Sequence, residues 1–554
     1  MNKTLFSLLV WAASALATPV GGQCPPAGPV LPPPKYPAKL DPQRLSSRIE
    51  ALVKSSGTRW NVSTTSFSVE LTSADATLFE YHHTAAVKNA SGVKTVDADT
   101  VYRVMSVTKT VNVLALLLNA PHKIDTPIGD YVEELRGFGP YEGVTLRMLA
   151  SQLAGVPNKG FAFDRYLRYG DELEKAGFPK PDPKDIPTCD NLSMKTCSRA
   201  EMLDALKSNK LIFMPGDRPA YSDQAYMLLG WAMENITGKP FEQIVRDSVT
   251  GPLGLSATGF QVPELSRGVI PVGIGASFFD LSLGNFNYTA GLFSTPRNLT
   301  AYTRAILNNT LLTPAQTRTW LKPSSFAGSY AMHVGAPWEI FRLSRLTPDG
   351  RPIDVYTKSG SMPGWAAYVL LVPEYNIGGT ILVAAVDANA PSLSLLDAVT
   401  DAVVREADAL ARRQAERAYA GRYSSGGDKS SSSSSLELVV DEGPGLRIKS
   451  WRAAGGAKSV LAALAEQKGV ADEAELDARI YPIGEGGRWR MVLEKLGRRA
   501  ATPSRPSEAC ANWFNYDTWR YASRPVDEFD FEVTEQGAVK SVSNPGLRST
   551  MTKE

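Results

Sequence analysis

The sequence predicts an α/β (α+β) fold, in which a mixed or antiparallel sheet is flanked by helices and a small β-rich domain follows. Three observations support this prediction. Residues 365–372 and 379–386 are apolar runs on either side of a short turn, as is typical of a β-hairpin. Residues 111–118 are apolar nearly all round, as in a buried helix. Beyond residue 436, short alternating segments separated by turn residues predict several further strands.

The first 17 residues have the pattern of a secretory signal peptide. Lys3 supplies the positive charge, residues 5–16 form the apolar stretch, and residues 15–17 (Ala-Leu-Ala) form a small-residue cleavage site. The apolar stretch is too short to span a bilayer, although an N-terminal anchor is the alternative interpretation. We therefore expect a secreted, extracellular protein that makes no membrane contact after the signal is cleaved.

The chain is long enough for more than one domain, because its 554 residues exceed what one hydrophobic core usually organises. Residues 18–44 are rich in Pro and Gly and predict an extended arm. We expect the main domain over residues 45–415 and the β-rich domain over 416–554, with a Ser-rich run at 430–435. With 59 basic and 57 acidic residues, the chain offers no electrostatic case for a nucleic-acid partner.

The other elements of the main domain follow in chain order. Helices are predicted for residues 45–53, from 106 onward and for about 395–419, and strands for 67–71 and 77–81 with a turn at 73–75. Residues 158–200 carry several prolines, mixed charges and two cysteines, which indicates an insertion. It is either a lid or wall of a site or a surface excursion without function.

The four cysteines predict two disulfides, because an even number in an exported chain favours paired thiols. Cys189 with Cys197 would close a short loop, and Cys24 with Cys510 would tie the N-terminal arm to the far end of the chain. Three pairings are possible, so this one is a preference. The cysteine spacings do not resemble a zinc site and histidine is scarce, so we expect neither a metal nor a cofactor.

Seven N-x-S/T acceptors point to export in the same way as the signal peptide. The candidate glycosylated residues are Asn61, Asn89, Asn191, Asn235, Asn287, Asn298 and Asn308.

A serine and a lysine stand three residues apart just before the apolar helix. At this spacing the side chains of Ser106 and Lys109 lie on the same helix face. Unpaired backbone N–H groups and the helix dipole favour negative charge at the position of Ser106. The pattern predicts a nucleophilic serine with a lysine that assists it, although a pattern this short also occurs by chance.

A second motif lies between residues 215 and 230, where Tyr221 and Asp223 occupy a predicted turn that leads into a helix. A tyrosine can hydrogen-bond a nucleophile, and it acts as a base only if its high pKa is lowered. Nearby ammonium groups lower the pKa of a phenol because they favour the phenolate. The alternative interpretation is a core tyrosine at a helix start.

A third motif begins at Lys358, at the end of a predicted short strand, and continues through Ser359, Gly360 and Ser361. The glycine allows a substrate backbone to approach closely, and a strand edge can align an extended acyl group. The backbone N–H of Ser361 would then join that of Ser106 as an oxyanion hole.

The ordered motifs S-x-x-K, Y-x-(N/D) and K-(S/T)-G resemble the serine β-lactamase and penicillin-binding family, on the side of class C β-lactamases and D-alanyl-D-alanine carboxypeptidases. Residues 123–131, 145–157, 237–258 and 290–299 are also similar to segments of this family, in family order. The whole layout looks most like secreted fungal β-lactamase-like proteins. The resemblance implies a β-lactamase/transpeptidase-like fold.

The resemblance implies a role for each matched residue. Ser106 would form an acyl-enzyme, Lys109 would help to activate it, and Tyr221 would act as general base and then as acid for the leaving group. Lys358 would stabilise the tyrosinate or a substrate carboxylate. The N–H groups of Ser106 and Ser361 would bind the oxyanion.

The chain departs from the family pattern at two positions. Asp223 stands where most relatives have Asn, and a carboxylate beside Lys109 would raise the pKa of the lysine. We therefore expect Tyr221, rather than Lys109, to accept the proton. A family histidine is also replaced, and Gln152 is the residue nearest to its position.

No Ser-His-Asp triad is evident in the sequence. The four histidines adjoin a predicted strand or lie in apparent loops, and we interpret all of them as structural or surface residues: His82, His83, His122 and His333.

These features predict a secreted serine hydrolase that acts on a small-molecule or peptide ester or amide. The family includes peptidases, esterases, transacylases and β-lactamases, so the resemblance does not give the substrate. One alternative is a transacylase or esterase of secondary metabolism. Another is a catalytically silent binding protein, in which Asp223 locks Lys109 in an ion pair.

Overall fold

The computed structural model describes most of the chain. The described residues are 24–36, 42–55, 60–160, 164–190, 195–273, 276–426, 433–484, 487–496, 505–506, 509–510 and 512–554. They form two compact units: the larger unit contains Pro33–Leu346 and Pro352–Leu410, and the smaller unit contains the described residues up to Pro32, together with Thr347–Arg351 and Ala411–Glu554. The predicted signal peptide and Asn191 lie outside the described residues.

The larger unit is built on an eight-stranded sheet in which every neighbouring pair is antiparallel, in the order β2-β1-β10-β9-β8-β7-β6-β5. A separate two-stranded pair joins β3 to β4. The strands are β1 (Ser66–Thr72), β2 (Thr77–His83), β3 (Tyr102–Arg103), β4 (Phe293–Ser294), β5 (Ser325–Phe326), β6 (Met332–Val334), β7 (Glu339–Leu343), β8 (Ile353–Met362), β9 (Trp365–Val372) and β10 (Ile377–Ala384).

Helices precede, separate and follow these strands. They are α1 (Pro42–Ser55), α2 (Thr108–Asn119), α3 (Leu146–Ala150), α4 (Tyr166–Lys175), α5 (Arg199–Ser208), α6 (Asp223–Thr237), α7 (Phe241–Val245), α8 (Ala276–Phe279), α9 (Asn287–Ala290), α10 (Pro296–Leu307), α11 (Pro314–Trp320) and α12 (Asn389–Tyr419). The boundary between the units falls inside α12, after Leu410.

The central strands are buried on both faces, which explains their continuous apolar runs. On one face, Ile381 and Val383 of β10 pack in a cluster with residues of α1 and α12. On the other face, Leu382 and Ala384 pack in a cluster with residues of α2 and α10. The sheet therefore holds the start of α2 against one of its faces, and this is where the candidate site lies.

The smaller unit is a closed eight-stranded barrel, in which β20 pairs with β11. Alternate residues of its strands point inward around a core that includes Trp451, Trp489 and Phe529. The barrel strands are β11 (Gly421–Ser424), β12 (Ser435–Val439), β13 (Leu446–Arg452), β14 (Leu476–Pro482), β15 (Arg488–Lys495), β18 (Glu528–Val533), β19 (Val539–Asn544) and β20 (Ser549–Lys553). The short pair β16 (Arg520–Tyr521) and β17 (Arg524–Pro525) and the helix α13 (Val460–Gln467) complete the unit.

The predicted fold class is confirmed, and the sheet is antiparallel rather than mixed. Some predicted boundaries are wrong. The second strand of the hairpin begins at Ile377 rather than residue 379, because Asn376 closes the turn in a left-handed conformation with φ of 55°. The long helix α12 begins six residues earlier than predicted, at Asn389.

Both preferred disulfides are present, between Cys24 and Cys510 and between Cys189 and Cys197. The second closes a loop within the predicted insertion, which also contains α4. Among the described residues, no helix combines the length and apolar character needed to cross a bilayer.

The structure opposes glycosylation at one of the seven acceptors. Asn298 is only 9% exposed, and its side-chain amide donates a hydrogen bond to Thr258 Oγ1 at 3.2 Å. A glycan on that nitrogen would disrupt buried packing, so this prediction is wrong for the folded chain. Asn61, Asn235 and Asn308 are exposed and stay predictions, as do the half-buried Asn89 and Asn287.

Candidate active site

Ser106 lies at the entrance of the buried helix α2. It occupies a 3₁₀ turn, Met105–Val107, that runs directly into the helix. Met105 adopts a left-handed conformation with φ of 43°, which is strained for a side chain of this size. Strain of this kind persists where the surrounding structure enforces it, and it is concentrated at functional sites. The turn leaves the Ser106 side chain partly exposed, at the start of a helix that is buried from Thr108 to Leu116.

Lys109 lies one turn further along and is completely buried. Its ammonium Nζ donates to Ser106 Oγ at 2.9 Å, to Asp223 Oδ1 at 2.6 Å and to the carbonyl oxygen of Thr289 at 3.2 Å. Burial lowers the pKa of Lys109 below its ordinary value, and the carboxylate of Asp223 offsets part of this effect. The expected rise caused by Asp223 is therefore present, but burial outweighs it.

Tyr221 is held just before α6, whose N-cap is Ser222. Gln152 fixes this turn, because its Oε1 accepts from the backbone N–H of Ser222 at 2.8 Å and its backbone oxygen accepts from that of Ala220 at 2.9 Å. In this position Tyr221 Oη donates to Ser106 Oγ at 2.7 Å. Ser106 Oγ thus contacts both an ammonium and a phenol.

The electrostatics of Tyr221 differ from the expectation. The residue is 41% exposed, yet burial of its hydroxyl end raises its pKa above the ordinary value. Lys358, with Nζ 5.3 Å from the ring centroid, lowers the pKa only in part. The phenol is therefore protonated at neutral pH, and the expected lowering of the pKa of Tyr221 was wrong.

Asp223 is the first residue of α6 and is 8% exposed. Besides Lys109, it accepts a hydrogen bond from Thr289 Oγ1 at 2.9 Å, and its Oδ2 lies 3.4 Å from Lys159 Nζ. Burial acts to raise the pKa of Asp223, but Lys109 and Lys159 outweigh it and lower the pKa to about 2. The carboxylate is therefore ionised across the physiological range.

The third motif lies within a ten-residue strand, β8, rather than at the end of a short one. Gly360 brings this strand against the nucleophile: a Cβ atom there would lie 2.3 Å from Val104 O and 3.0 Å from Ser106 N. Only glycine permits this approach. The next residue, Ser361, thus comes close to the Ser106 backbone, and its side chain donates to Asn389 Oδ1 at 2.7 Å.

Lys358 and Ser359 are both engaged by a carboxylate that the motif does not contain. Lys358 is buried, and its Nζ donates to Glu339 Oε1 at 2.5 Å. Ser359 Oγ donates to the same oxygen at 2.8 Å, and the backbone N–H of Ser359 donates to Oε2 at 2.9 Å. Burial acts to raise the pKa of Glu339, but Lys358 and Ser359 outweigh it, so the pKa of this carboxyl is lowered.

Four residues of the site were missed by sequence reasoning. Glu339 follows a tryptophan at the start of β7, and Thr289 lies in α9, with no local signal for either. Asn389 begins α12. Lys159 lies two residues after the family-like segment at 145–157 and within the predicted insertion at 158–200, and these positions were the available indications. The predicted site residues are thus brought together, with a further set of charged and polar partners around them.

The four histidines lie outside this cluster. His82 Nδ1 contacts Ser68 Oγ at 2.9 Å on β1, and His83 stacks on Phe67. His122 follows α2 and His333 lies in β6. Within the described part of the chain, no group of three or more His, Cys, Asp or Glu residues could hold a metal ion.

Comparison with known proteins identifies the family of the chain. A family model described as "Beta-lactamase" matches residues 76–403, and one described as "Beta-lactamase-like-like, C-terminal domain" matches residues 411–554. A "Beta-lactamase-like protein" of Arthroderma benhamiae is 29% identical over 98% of this chain and 98% of its own length. "Probable hydrolase clz13" of Cochliobolus lunatus is 27% identical over 88% of this chain and 85% of its own length, and "Probable hydrolase M10" of a Phoma species is 28% identical over 99% and 94%. The chain therefore belongs to the beta-lactamase family of hydrolases, and it carries the C-terminal domain of beta-lactamase-like proteins.

Proposed function

We propose that this protein is a secreted serine hydrolase that cleaves an ester or amide through an acyl-enzyme on Ser106. One observation carries the proposal: Ser106 Oγ lies 2.9 Å from Lys109 Nζ and 2.7 Å from Tyr221 Oη, beside the strand edge at Gly360. A hydroxyl oxygen held between two groups that exchange protons is the arrangement that nucleophilic catalysis requires. Two of the relatives are named probable hydrolases, which supports the same reaction class.

The pKa shifts favour different roles for Lys109 and Tyr221, the two hydrogen-bond partners of Ser106. Burial lowers the pKa of Lys109, so its neutral amine can accept the Ser106 proton as Oγ bonds to the substrate carbonyl carbon. The raised pKa of Tyr221 keeps its phenol protonated, so it donates a proton to the leaving group as the carbonyl–leaving-group bond breaks. The proton on Lys109 then restores the phenol. In the second half, the neutral amine of Lys109 accepts a proton from water as the water oxygen bonds to the acyl carbon. Lys109 then returns that proton to Ser106 Oγ as the acyl–Oγ bond breaks, and the acid product leaves.

The backbone supplies the oxyanion site in this proposal. The N–H groups of Ser106 and Ser361 would stabilise the negative charge that develops on the carbonyl oxygen. Their proximity depends on Gly360, whose missing side chain lets β8 lie against the turn of Ser106. The pairing of β8 with β7 ends at Thr357, whereas its pairing with β9 continues to Met362, so residues 358–362 present one side of the strand whose main-chain groups can align the acyl part of a substrate.

The test is direct detection of the acyl-enzyme. Incubation with a serine-directed acylating probe should raise the intact mass by one acyl group, and Ser106→Ala should abolish both the adduct and turnover. Ser256→Ala, at an exposed serine elsewhere in the unit, should leave both unchanged. An adduct that persists in the Ser106 variant would show that the proposed nucleophile is wrong.

A second candidate, a catalytically silent binding protein, is favoured by the close Lys109–Asp223 pair at 2.6 Å. If this pair keeps Lys109 protonated, the chain would bind a ligand without forming an adduct. A panel of esters, D-peptides and β-lactams separates the two. Turnover of any member supports the enzyme, while transfer of the acyl group to an added alcohol or amine identifies a transacylase.

The proposed secretion can be tested by expressing the protein in a secreting host. Two disulfides suit an oxidising compartment, and the sequence begins with a signal-like segment. Expression in a secreting eukaryotic host should release into the medium a chain that begins at residue 18, as read by N-terminal sequencing. Retention in the cell with Met1 in place would contradict the proposal.

A further inference from the structure

The carboxylate of Asp223 is shared between two ammonium groups. Lys109 Nζ contacts Oδ1 at 2.6 Å from the buried side, and Lys159 Nζ lies 3.4 Å from Oδ2 on the outer side. The Lys109 side chain is fully buried, whereas that of Lys159 is 41% exposed. The second cation is therefore the more exposed of the two, and both contact the carboxylate of Asp223.

The backbone around Lys159 is fixed to the start of α6. Asn158 Oδ1 accepts from the N–H of Asp223 at 3.2 Å, and Asn158 O accepts from that of Gln224 at 2.9 Å. Ser222 Oγ donates to the carbonyl oxygen of Pro157 at 2.8 Å. Three hydrogen bonds thus hold the chain just before Lys159 against the helix that carries Asp223.

The two charges have opposite effects on Lys109. The ionised carboxylate of Asp223 stabilises the ammonium of Lys109 and so works against its use as a base. A second cation on the same carboxylate offsets its negative charge and repels the Lys109 ammonium. Lys159 thereby favours the neutral amine that accepts the Ser106 proton.

The other groups that face Lys109 do not supply this effect. The rings of Tyr221 and Tyr226 lie 4.9 and 5.4 Å from its Nζ, and burial raises the pKa of both, so they are neutral. Glu339 adds to the negative field that favours the ammonium. Lys358 is paired with that same Glu339 at 2.5 Å.

We propose that Lys159 is a positioning residue that lowers the proton affinity of Lys109 through Asp223 and so lets a site with a carboxylate beside its lysine work near neutral pH. This inference rests on the proposed function, because it assumes that Lys109 accepts the proton of Ser106. Lys159 belongs to the predicted insertion at 158–200, so the start of that insertion would take part in the site.

The experiment measures the pH dependence of the acylation rate with the same serine-directed probe. In Lys159→Gln the acid limb should move to higher pH by roughly 0.5 to 1 unit, because loss of the cation raises the pKa of Lys109. Lys159→Arg keeps the charge and should keep the profile of the parent chain. Lys180→Gln removes an exposed lysine elsewhere and should also leave the profile unmoved.

A second pair of variants tests the route through Asp223. In an Asp223→Asn background, Lys159→Gln should lose most of its effect, because no carboxylate remains to hold the ammonium in place. An effect of full size in that background would overturn the proposed route. Added salt should shift the parent profile in the direction of Lys159→Gln and move the variant less.

The outcomes separate the two proposals. An unmoved acid limb in Lys159→Gln, with labelling that still depends on Ser106, would overturn the role of Lys159 and leave the proposed function intact. Labelling that survives Ser106→Ala would overturn the proposed function itself. Thermal unfolding of each variant shows whether the fold is retained, so a merely structural role would change the melting temperature without moving the acid limb.

Discussion

Lys358 Nζ is bound by Glu339 Oε1 at 2.5 Å, and the same carboxylate also accepts both hydrogen bonds of Ser359. Lys358, which the family resemblance suggested for stabilising a tyrosinate or a substrate carboxylate, therefore has a counter-ion within the protein. An anionic substrate group placed here would meet a carboxylate as well as an ammonium. Under the proposed function, we therefore expect a preference for substrates that are uncharged or cationic beside the scissile bond.

Glu339→Gln should improve the binding of substrates that carry a carboxylate. The change removes the counter-ion and leaves Lys358 free to form a charge-assisted hydrogen bond, so KM for an anionic substrate should fall about tenfold. The KM of its neutral amide analogue should change little. Glu133→Gln, at an exposed site, is the matched control. Equal KM changes for the two analogues would contradict this account.

The two partners of Ser106 should respond differently to the leaving group. Tyr221→Phe removes the proposed acid, so kcat should fall by about 10²–10⁴ for a substrate with a poor leaving group. An activated aryl ester has a leaving group that needs no proton. With this substrate, kcat of Tyr221→Phe should therefore be close to that of the parent chain. Lys109→Met removes the proposed base and should be inactive towards both. If the activated ester instead restores activity to Lys109→Met and not to Tyr221→Phe, then Lys109 is the acid and Tyr221 is the base.

Gly360→Ala should impair acylation more than folding. A Cβ atom at this position would lie 2.3 Å from Val104 O, so β8 or the turn of Ser106 must move and the oxyanion site must open. The acylation rate should fall about a hundredfold. Gly143→Ala is the matched control, because nothing lies within 4 Å of a Cβ atom there. The rates are measured with the probe, and circular dichroism checks the fold.

Glu70 should make the stability of the larger unit depend on pH. It is 2% exposed in β1, no described residue hydrogen-bonds its Oε1, and burial raises its pKa to about 7. In the unfolded chain its pKa is near 4.5, so folding is favoured below that pH and loses stability as the pH rises through 7. Glu70→Gln should therefore stabilise the chain by about 3 kcal/mol at pH 8 and by little at pH 4.

Chemical denaturation at the two pH values measures this difference. Glu142→Gln is the control, because Glu142 is exposed elsewhere in the larger unit and does not act on Glu70. A stability gain of equal size at both pH values would contradict the account.

The sequence predicted the positions of the reacting groups because each motif couples chemistry to local structure. Ser106 and Lys109 share a helix face through their spacing alone, and Tyr221 follows from the turn that begins a helix. Glu339 could not be found in this way. Its contact with Lys358 depends on the register in which Glu339 of β7 lies opposite Thr357 of β8, and such pairing is set by the whole sheet.

The pKa directions were also beyond sequence reasoning. The pattern indicated which charges surround Tyr221 and Lys109, but the dominant cause for both is burial, which depends on tertiary packing. The barrel gives a parallel case. Alternation predicted several of its strands, whereas its closure depends on Tyr423 pairing with Lys553 at the far end of the chain.

The bond between Cys24 and Cys510 makes most of this molecule a covalent ring, because the two cysteines are 486 positions apart. A protease that cuts anywhere inside the ring opens it without releasing a fragment, so a nicked molecule would migrate as one species until a reductant is added. During synthesis the ring cannot close until residue 510 has left the ribosome. Any structure that the earlier part of the chain forms before that point is therefore formed without this bond.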